Sequence, residues 1–328
     1  MPNAGIIGLG AYLPERCMTN KEFEEFIDTS DEWIRTRTGI AQRRVAAEHE
    51  ATSDLATKAA QAALENAGIT AEEIDLIIVA TVSPDMMFPA TACLVQDALG
   101  ATKAGAFDLQ AGCSGFIYGV SVASQFIKTG VYKYCLVIGA ETISRILDYQ
   151  DRNTCVLFGD GAGAAVVGPV EEGYGIMSME LGSDGSGGKY LSLPAGCTRL
   201  PASEQTVADR LHYVNMNGKE VFKFAARTVP DAAERLIEKA GIAKSDIDWF
   251  IPHQANTRII EAVMKRLDQP MDKAFMNIEN YGNMSGASVP VAMYEAVMQG
   301  KVKKGDVVLS IGFGTGLTWG GIVLKWAF

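Results

Sequence analysis

Ala67-Gly68-Ile69, followed by Ile74-Asp75 and the apolar run at 76–80, returns later in the chain as Ala240-Gly241-Ile242, followed by Ile247-Asp248 and the apolar run at 249–251. Every shared residue is displaced by 173 positions. In each copy the Gly reads as the left-handed cap that closes a helix, a conformation Gly adopts without a Cβ penalty. A short polar turn comes next, then an apolar stretch of strand length. Residues 136–139 and 309–312 repeat the same displacement at a second pair of buried strands. Ser114-Gly115 and Ser285-Gly286 read as the openings of counterpart helices. Several matches in one order predict a duplicated α/β chain, with an N-terminal half at 1–172 and a C-terminal half at 173–328. Strands alternating with helices predict mostly parallel sheets covered by helices. Packed together, two such halves give five layers, α-β-α-β-α. Open α/β sheets collect ligands beyond the carboxyl ends of their strands, so loops of both halves are expected to converge on one cleft.

Composition sets the outer limits. The 328 residues are 48% hydrophobic and 21% charged, ordinary for a soluble globular protein. A formal net charge of −10 argues against non-specific binding to nucleic acid or to an anionic membrane. Residues 1–14 lack a basic segment followed by an apolar core, and no stretch reaches the roughly 18 uninterrupted apolar residues of a membrane span. A cytoplasmic location is expected. Cys17, Cys93, Cys113, Cys135, Cys155 and Cys197 are scattered without a Cys-x-x-Cys pair, which fits neither a disulfide framework nor a zinc site. Five of them read as reduced thiols, mostly buried. His49, His212 and His253 lie far apart without ligand-like neighbours, so no metal is expected.

Cys113 is the sixth. It lies in Gln110-Ala-Gly-Cys-Ser-Gly-Phe-Ile-Tyr118, at the start of an apolar helix. The unpaired N–H groups and partial positive charge of a helix N-terminus stabilise a thiolate. A thiol pKa below the free value of about 8.5 is therefore expected, although a small buried structural Cys fits the same position. His253, in Ile251-Pro-His-Gln-Ala-Asn256, follows a duplicated strand and reads either as a catalytic group or as a satisfied structural His. Asn283, in Tyr281-Gly-Asn-Met-Ser-Gly286, precedes a second-half helix and taken alone reads as a turn residue or cap. The duplication ties the three together, because Cys113 and Asn283 fall in nearly equivalent loops. Their chemistry is complementary. A thiolate exchanges with a thioester at little energetic cost, since sulfur replaces sulfur. Imidazole and amide groups donate hydrogen bonds to a thioester carbonyl as negative charge builds on it.

Ala111-Gly-Cys-Ser-Gly115, Phe158-Gly-Asp-Gly-Ala-Gly163, His253-Gln-Ala-Asn256, Asn283-Met-Ser-Gly-Ala-Ser288 and Gly312-Phe-Gly-Thr-Gly-Leu-Thr-Trp-Gly320 occur here in one order. With Asp31-Glu-Trp-Ile-Arg-Thr-Arg-Thr-Gly39, they make the whole chain resemble the beta-ketoacyl-acyl-carrier-protein synthase III enzymes. The resemblance implies a thiolase-like fold and initiation of type II fatty-acid synthesis. Cys113 would take a short acyl group from coenzyme A, malonyl-acyl carrier protein would lose CO2, and the resulting carbanion would attack the Cys113 thioester. The resemblance assigns His253 and Asn283 to the enolate. It assigns the backbone N–H groups of Cys113 and the Gly314-Thr315-Gly316 loop to the oxyanion on the acylated side. Thr315 stands where many members have Gly. Trp33 resembles the residue that stacks on adenine, Arg37 and Arg152 those near the nucleotide phosphates, and Asn256 the one that holds the pantetheine arm. No cofactor is implied, because the coenzyme A thioester is a substrate. Phe88, in Met86-Met-Phe-Pro89, resembles a residue that reaches into a partner subunit's pocket, which implies a homodimer.

An acidic carrier protein has a physical signal of its own. Arg258 and Lys265 are seven apart on a predicted helix and share a face, with Arg266 adjacent and Ile259, Ile260, Val263 and Leu267 on the apolar side. Lys223 joins them by resemblance. In so acidic a chain, such a cluster would steer an acidic partner. Among rival readings, a biosynthetic thiolase is disfavoured because residues 312–320 hold no second Cys. Elongating condensing enzymes use a second His where Asn283 stands. Cys-His-Asn condensing enzymes of polyketide or quinolone pathways share the triad, and a non-catalytic coenzyme A or carrier-binding relative would share the scaffold.

Overall fold

The computed structural model describes residues 3–328, and in it the duplicated Asp clamps the start of a neighbouring strand. The Asp75 N–H donates to Tyr134 O at 2.9 Å, while Asp75 Oδ2 accepts the Tyr134 N–H at 3.1 Å. Asp248 does the same with Val307, at 2.9 Å and 2.8 Å. Tyr134 and Val307 are themselves 173 apart. Upstream of each Asp, Gly68 (φ 66°) and Gly241 (φ 69°) end their helices in the left-handed conformation the sequence predicts.

The first sheet holds β1 (Asn3–Tyr12), β2 (Leu76–Ala80), β3 (Gly105–Leu109), β4 (Cys135–Glu141) and β5 (Gly161–Val170), in the spatial order β1-β5-β4-β2-β3. After a turn at 171–174 the second sheet begins. It holds β6 (Gly175–Ser183), β7 (Trp249–Pro252), β8 (Val307–Gly314) and β9 (Thr318–Lys325), in the corresponding order β6-β9-β8-β7. The counterpart of β3 is reduced to one parallel bridge between Phe250 and Ala274. The main helices are α1 (Asp31–Thr38), α2 (Thr52–Ala67), α3 (Thr91–Leu99), α4 (Gly115–Thr129), α5 (Gly218–Ala240), α6 (Thr257–Leu267) and α7 (Ser288–Met298). α2 covers the outer face of the first sheet over β1, β5 and β4. α5 covers the outer face of the second over β6, β9 and β8, with α6 beside it. α4 and α7 are sandwiched between the sheets and touch both, which completes the five layers. Phe116, Ile117 and Val120 of α4 and Val289, Ala292 and Met293 of α7 are fully buried there. Among the described residues no helix is long and apolar enough to cross a membrane.

Three expectations need correction. The sheets are mixed rather than mostly parallel: β1–β5, β4–β5, β8–β9 and β6–β9 are antiparallel. The link from β8 to β9 is three residues, too short for a parallel crossover. The thiols are less buried than expected, for Cys135 and Cys155 are buried, Cys17 is half-buried, and Cys93 and Cys197 are exposed. Finally, the helix openings are in a different register. Tight turns at Gly112–Ser114 and Ser285–Ala287 precede α4 and α7, each displaced by 173. Gly112 (φ 55°) and Ser285 (φ 45°) are therefore counterparts, Cys113 matches Gly286, and Asn283 matches Gln110. The recurring Ser-Gly dipeptide is two residues out of this register.

The two turns meet the opposite half at glycines. A Cβ on Gly139 would collide with the Gly286 carbonyl oxygen. A Cβ on its counterpart Gly312 would lie 3.1 Å from Ser114 Cα and 3.2 Å from Cys113 O. Close approach at these positions brings Cys113 from one half against the strand ends of the other.

Candidate active site

Cys113 sits in the turn before α4, which the Ser114 hydroxyl braces by donating to Ala111 O at 2.7 Å. The end of β8 presses on it from the second half. A Cβ on Gly314 would collide with the Cys113 backbone nitrogen and lie 3.1 Å from Sγ. The residue is only 6% exposed. Burial pushes the thiol up to about 12, and the nearby Glu141 charge adds to the effect. The direction is opposite to the one expected from a helix N-terminus: taking a thiolate out of water outweighs the lowering effect of the Ser285 hydroxyl and of the local backbone. The resting group is a neutral thiol.

His253 follows β7, with its N–H donating to Ile311 O at 2.8 Å and its ring edge-on to Phe313, 5.4 Å between centroids. Burial lowers its pKa to about 3, so the imidazole is neutral. Nδ1 is enclosed without a hydrogen-bond partner among the described residues, which leaves Nε2 as the nitrogen on the cavity side. Asn283 is held along its backbone by the segment 157–159: its N–H donates to Leu157 O at 2.9 Å and its carbonyl accepts from Gly159 N at 3.1 Å. Its side-chain Oδ1 accepts the Ser285 N–H at 2.8 Å. The amide NH2 is left without a partner among the described residues, in a residue that lines the cavity.

Two cavities of about 640 Å³ each meet at Cys113. The first is walled by Cys113, His253, Asn283, Phe313 and Gly314 and extends to Trp33, Arg37, Arg152 and Asn256. The second runs from Cys113 past Thr81, Ile143, Leu191, Ser285 and Thr315 to Met86 and Met87. Arg37 and Arg152 both lie over the Trp33 ring, at 5.3 Å and 5.2 Å. Asn256 caps α6 by accepting the Arg258 N–H at 2.9 Å and donates to Arg37 O at 2.9 Å, so one amide hydrogen remains for a ligand. Thr315 Oγ1 donates to Leu191 O at 2.6 Å, which ties the Gly-rich loop to the wall of the second cavity. Gly316 lines neither cavity, and neither does Phe88, which is 79% exposed beside Met86 and Met87.

The basic cluster lies outside both cavities and is smaller than the sequence suggested. Lys223 pairs with Glu220 at 2.7 Å, and Arg266 with Asp231 at 2.8 Å and Glu234 at 3.3 Å. Arg258, stacked 5.8 Å over Phe222, and Lys265 make no ion pair among the described residues. The sequence reading also missed Glu141, a buried carboxyl behind the second cavity. Its signal was a single charge closing the otherwise apolar run 135–140.

Two family models match the chain: "3-Oxoacyl-[acyl-carrier-protein (ACP)] synthase III" over residues 107–185 and its "C terminal" counterpart over 237–326. A curated beta-ketoacyl-acyl-carrier-protein synthase III from Caldanaerobacter subterraneus subsp. tengcongensis is 58% identical over 324 residues, covering 99% of this chain and 98% of that protein. The crystal structure of a synthase III from Thermus thermophilus superposes with a TM-score of 0.92 at 51% identity, covering 98% of this chain and 99% of that one. The priming beta-ketosynthase of the R1128 polyketide pathway superposes at 0.91 with 38% identity, covering 99% and 96%.

Proposed function

The chain belongs to the beta-ketoacyl-acyl-carrier-protein synthase III family of condensing acyltransferases, and from that premise we propose that Cys113, His253 and Asn283 perform its condensation of an acyl-CoA primer with malonyl-acyl carrier protein. The observation that carries this reading is that Cys113 borders both cavities. A pantetheine arm fits the first, with its nucleotide end toward Trp33, Arg37 and Arg152, while the acyl group transferred to Cys113 fits the second. In the first half-reaction the Cys113 sulfur bonds the acyl carbon, the acyl bond to the coenzyme A sulfur breaks, and the proton given up by Cys113 ends on that departing sulfur, which releases the free thiol. The backbone N–H groups of Cys113 and of Gly314 and Thr315, the part of the Gly-rich loop that borders the cavities, stabilise the oxyanion.

In the second half-reaction a malonyl thioester occupies the first cavity. Its C–C bond to the carboxylate breaks, CO2 departs, and the electron pair becomes an enolate. Two donors face that oxygen. A buried N–H without an acceptor is rarer than an under-satisfied acceptor, so enclosure of His253 Nδ1 favours the tautomer with its proton on Nε2. A pKa near 3 also makes this imidazole a poor proton acceptor and suits it to donation. Asn283 supplies the second donor, because its oxygen is already committed to Ser285. The enolate carbon then bonds the acyl carbon, and Cys113 leaves as a thiolate that regains its proton. The protein so described is cytoplasmic and needs no cofactor beyond its substrate thioesters. A second copy, reached by the exposed Phe88, would close the outer edge of the acyl cavity.

Acetyl-CoA should transfer its acyl group to the peptide containing Cys113, detectable by mass spectrometry, and malonyl-carrier protein should then discharge it. An unmodified peptide at full coenzyme A release would remove this assignment. Carrier docking is tested separately. Charge reversal at both Arg258 and Lys265 should raise KM for malonyl-carrier protein roughly tenfold at low salt, while acylation by acetyl-CoA stays unchanged. Unaltered carrier kinetics would place the docking surface elsewhere.

A further inference from the structure

Glu141 ends β4 with no exposed surface and makes no ion pair among the described residues. Its carboxyl is instead ringed by donors from both halves. Oε2 accepts from Thr81 Oγ1, Val82 N and Ser83 N, each at 3.1 Å, and from Ser83 Oγ at 2.6 Å. Oε1 accepts from Gly286 N at 3.3 Å. Three of these donors are backbone N–H groups, which cannot reverse roles. Burial pushes the Glu141 carboxyl up from its ordinary value, while these fixed donors act the other way and favour the anion.

The duplication gives this contact a meaning. Glu141 and Gly314 are 173 positions apart, as are Cys113 and Gly286. The contact of Glu141 with Gly286 is thus the mirror copy of the contact of Gly314 with Cys113. In the catalytic copy the strand end is Gly, and space remains at the thiol for a substrate oxyanion. In the other copy the strand end carries its own carboxylate, which takes the N–H equivalent to that of Cys113.

Gly286 directly follows Ser285, whose N–H holds the Asn283 side-chain oxygen. Ser285 sits at φ 45°, where a residue with a Cβ persists only if its surroundings enforce it. We infer that Glu141 is a positioning residue for condensation: its carboxylate fills the counterpart of the oxyanion site and anchors the Ser285-Gly286 turn that aims the Asn283 amide. The inference rests on the role proposed for Asn283.

The two half-reactions separate the possibilities. Glu141→Gln keeps the volume but sets an NH2 against the ring of donors. It should lower decarboxylation of malonyl-carrier protein roughly 10–100-fold while changing acylation of Cys113 by acetyl-CoA less than about threefold. Ser83→Ala removes the shortest bond to Glu141 and leaves the carboxylate in place. It should lower the same half-reaction by a smaller factor, and it decides the matter if the first variant does not fold. In Glu141→Ala, added formate should restore part of the lost decarboxylation, a response that general loss of packing would not give. Equal losses in both half-reactions, or no change of their ratio in any variant, would overturn the inference. Wild-type protein that takes no acyl group on Cys113 would instead overturn the proposed function itself.

Discussion

Cys113→Ser should lower acyl transfer from coenzyme A by at least ~10⁴-fold, the scale of losing a nucleophile whose partners act as a unit. The substitution is nearly isosteric, so the turn braced by Ser114 and the contact with Gly314 survive. The loss is therefore chemical. Burial already holds the thiol near 12, and a hydroxyl at the same depth yields its proton far less readily. No neighbour compensates, because an imidazole with its pKa near 3 does not serve as a base at neutral pH. Single-turnover acylation with acetyl-CoA reads the effect, and a rate within about tenfold of wild type would end the covalent role. A companion measurement tests the resting protonation state. Alkylation of Cys113 in the free protein should rise about tenfold per pH unit from about pH 7 to 9 without levelling, since only the thiolate reacts. A plateau near neutrality would mean that the helix N-terminus, rather than burial, controls the thiol.

That contest between helix charge and burial marks where the sequence stops being legible. The turn at Gly112–Ser114 is local, so the sequence reveals that Cys113 stands before a helix. How deeply the other half buries it depends on Gly312 and Gly314, two hundred positions away, and the sign of the pKa shift follows from that contact. The duplicated fold is legible for the same local reason. Gly68 and Gly241 cap helices, and Asp75 and Asp248 clamp strands, by means that act within a few residues or at one neighbour. Strand direction is not local, and the mixed sheets escaped the reading. His253 and Asn283 could be named because each sits in a distinctive loop. The orientation of each donor could not, because it depends on an enclosed Nδ1 and on a Ser285 N–H placed by tertiary packing. Glu141 was hidden for a further reason: a carboxylate after an apolar strand ordinarily meets solvent, and only the assembled halves show it surrounded by N–H groups.

His253→Ala should reduce malonyl decarboxylation by about 10²–10³-fold, the usual cost of one donor to a developing oxyanion. Acylation of Cys113 should fall much less, because the oxyanion proposed for that step is served by backbone N–H groups rather than by His253. The pH dependence follows from the same burial. In the folded protein His253 protonates only near about 3, whereas an unfolded chain takes that proton near about 6.5. Between those values the unfolded state binds more protons, so the contribution of His253 to stability is complete above about pH 6.5 and is lost as pH falls toward about 3. The variant should accordingly lose stability less steeply over that acid range than wild type, as read by urea unfolding at several pH values. Decarboxylation by the wild-type protein should show no His limb between about pH 5.5 and 8, since the donor stays neutral throughout. A rate that rises with pH through about 6.5 in wild type but not in the variant would show His253 acting as a base. The tautomer argued from its enclosed Nδ1 would then be the wrong one.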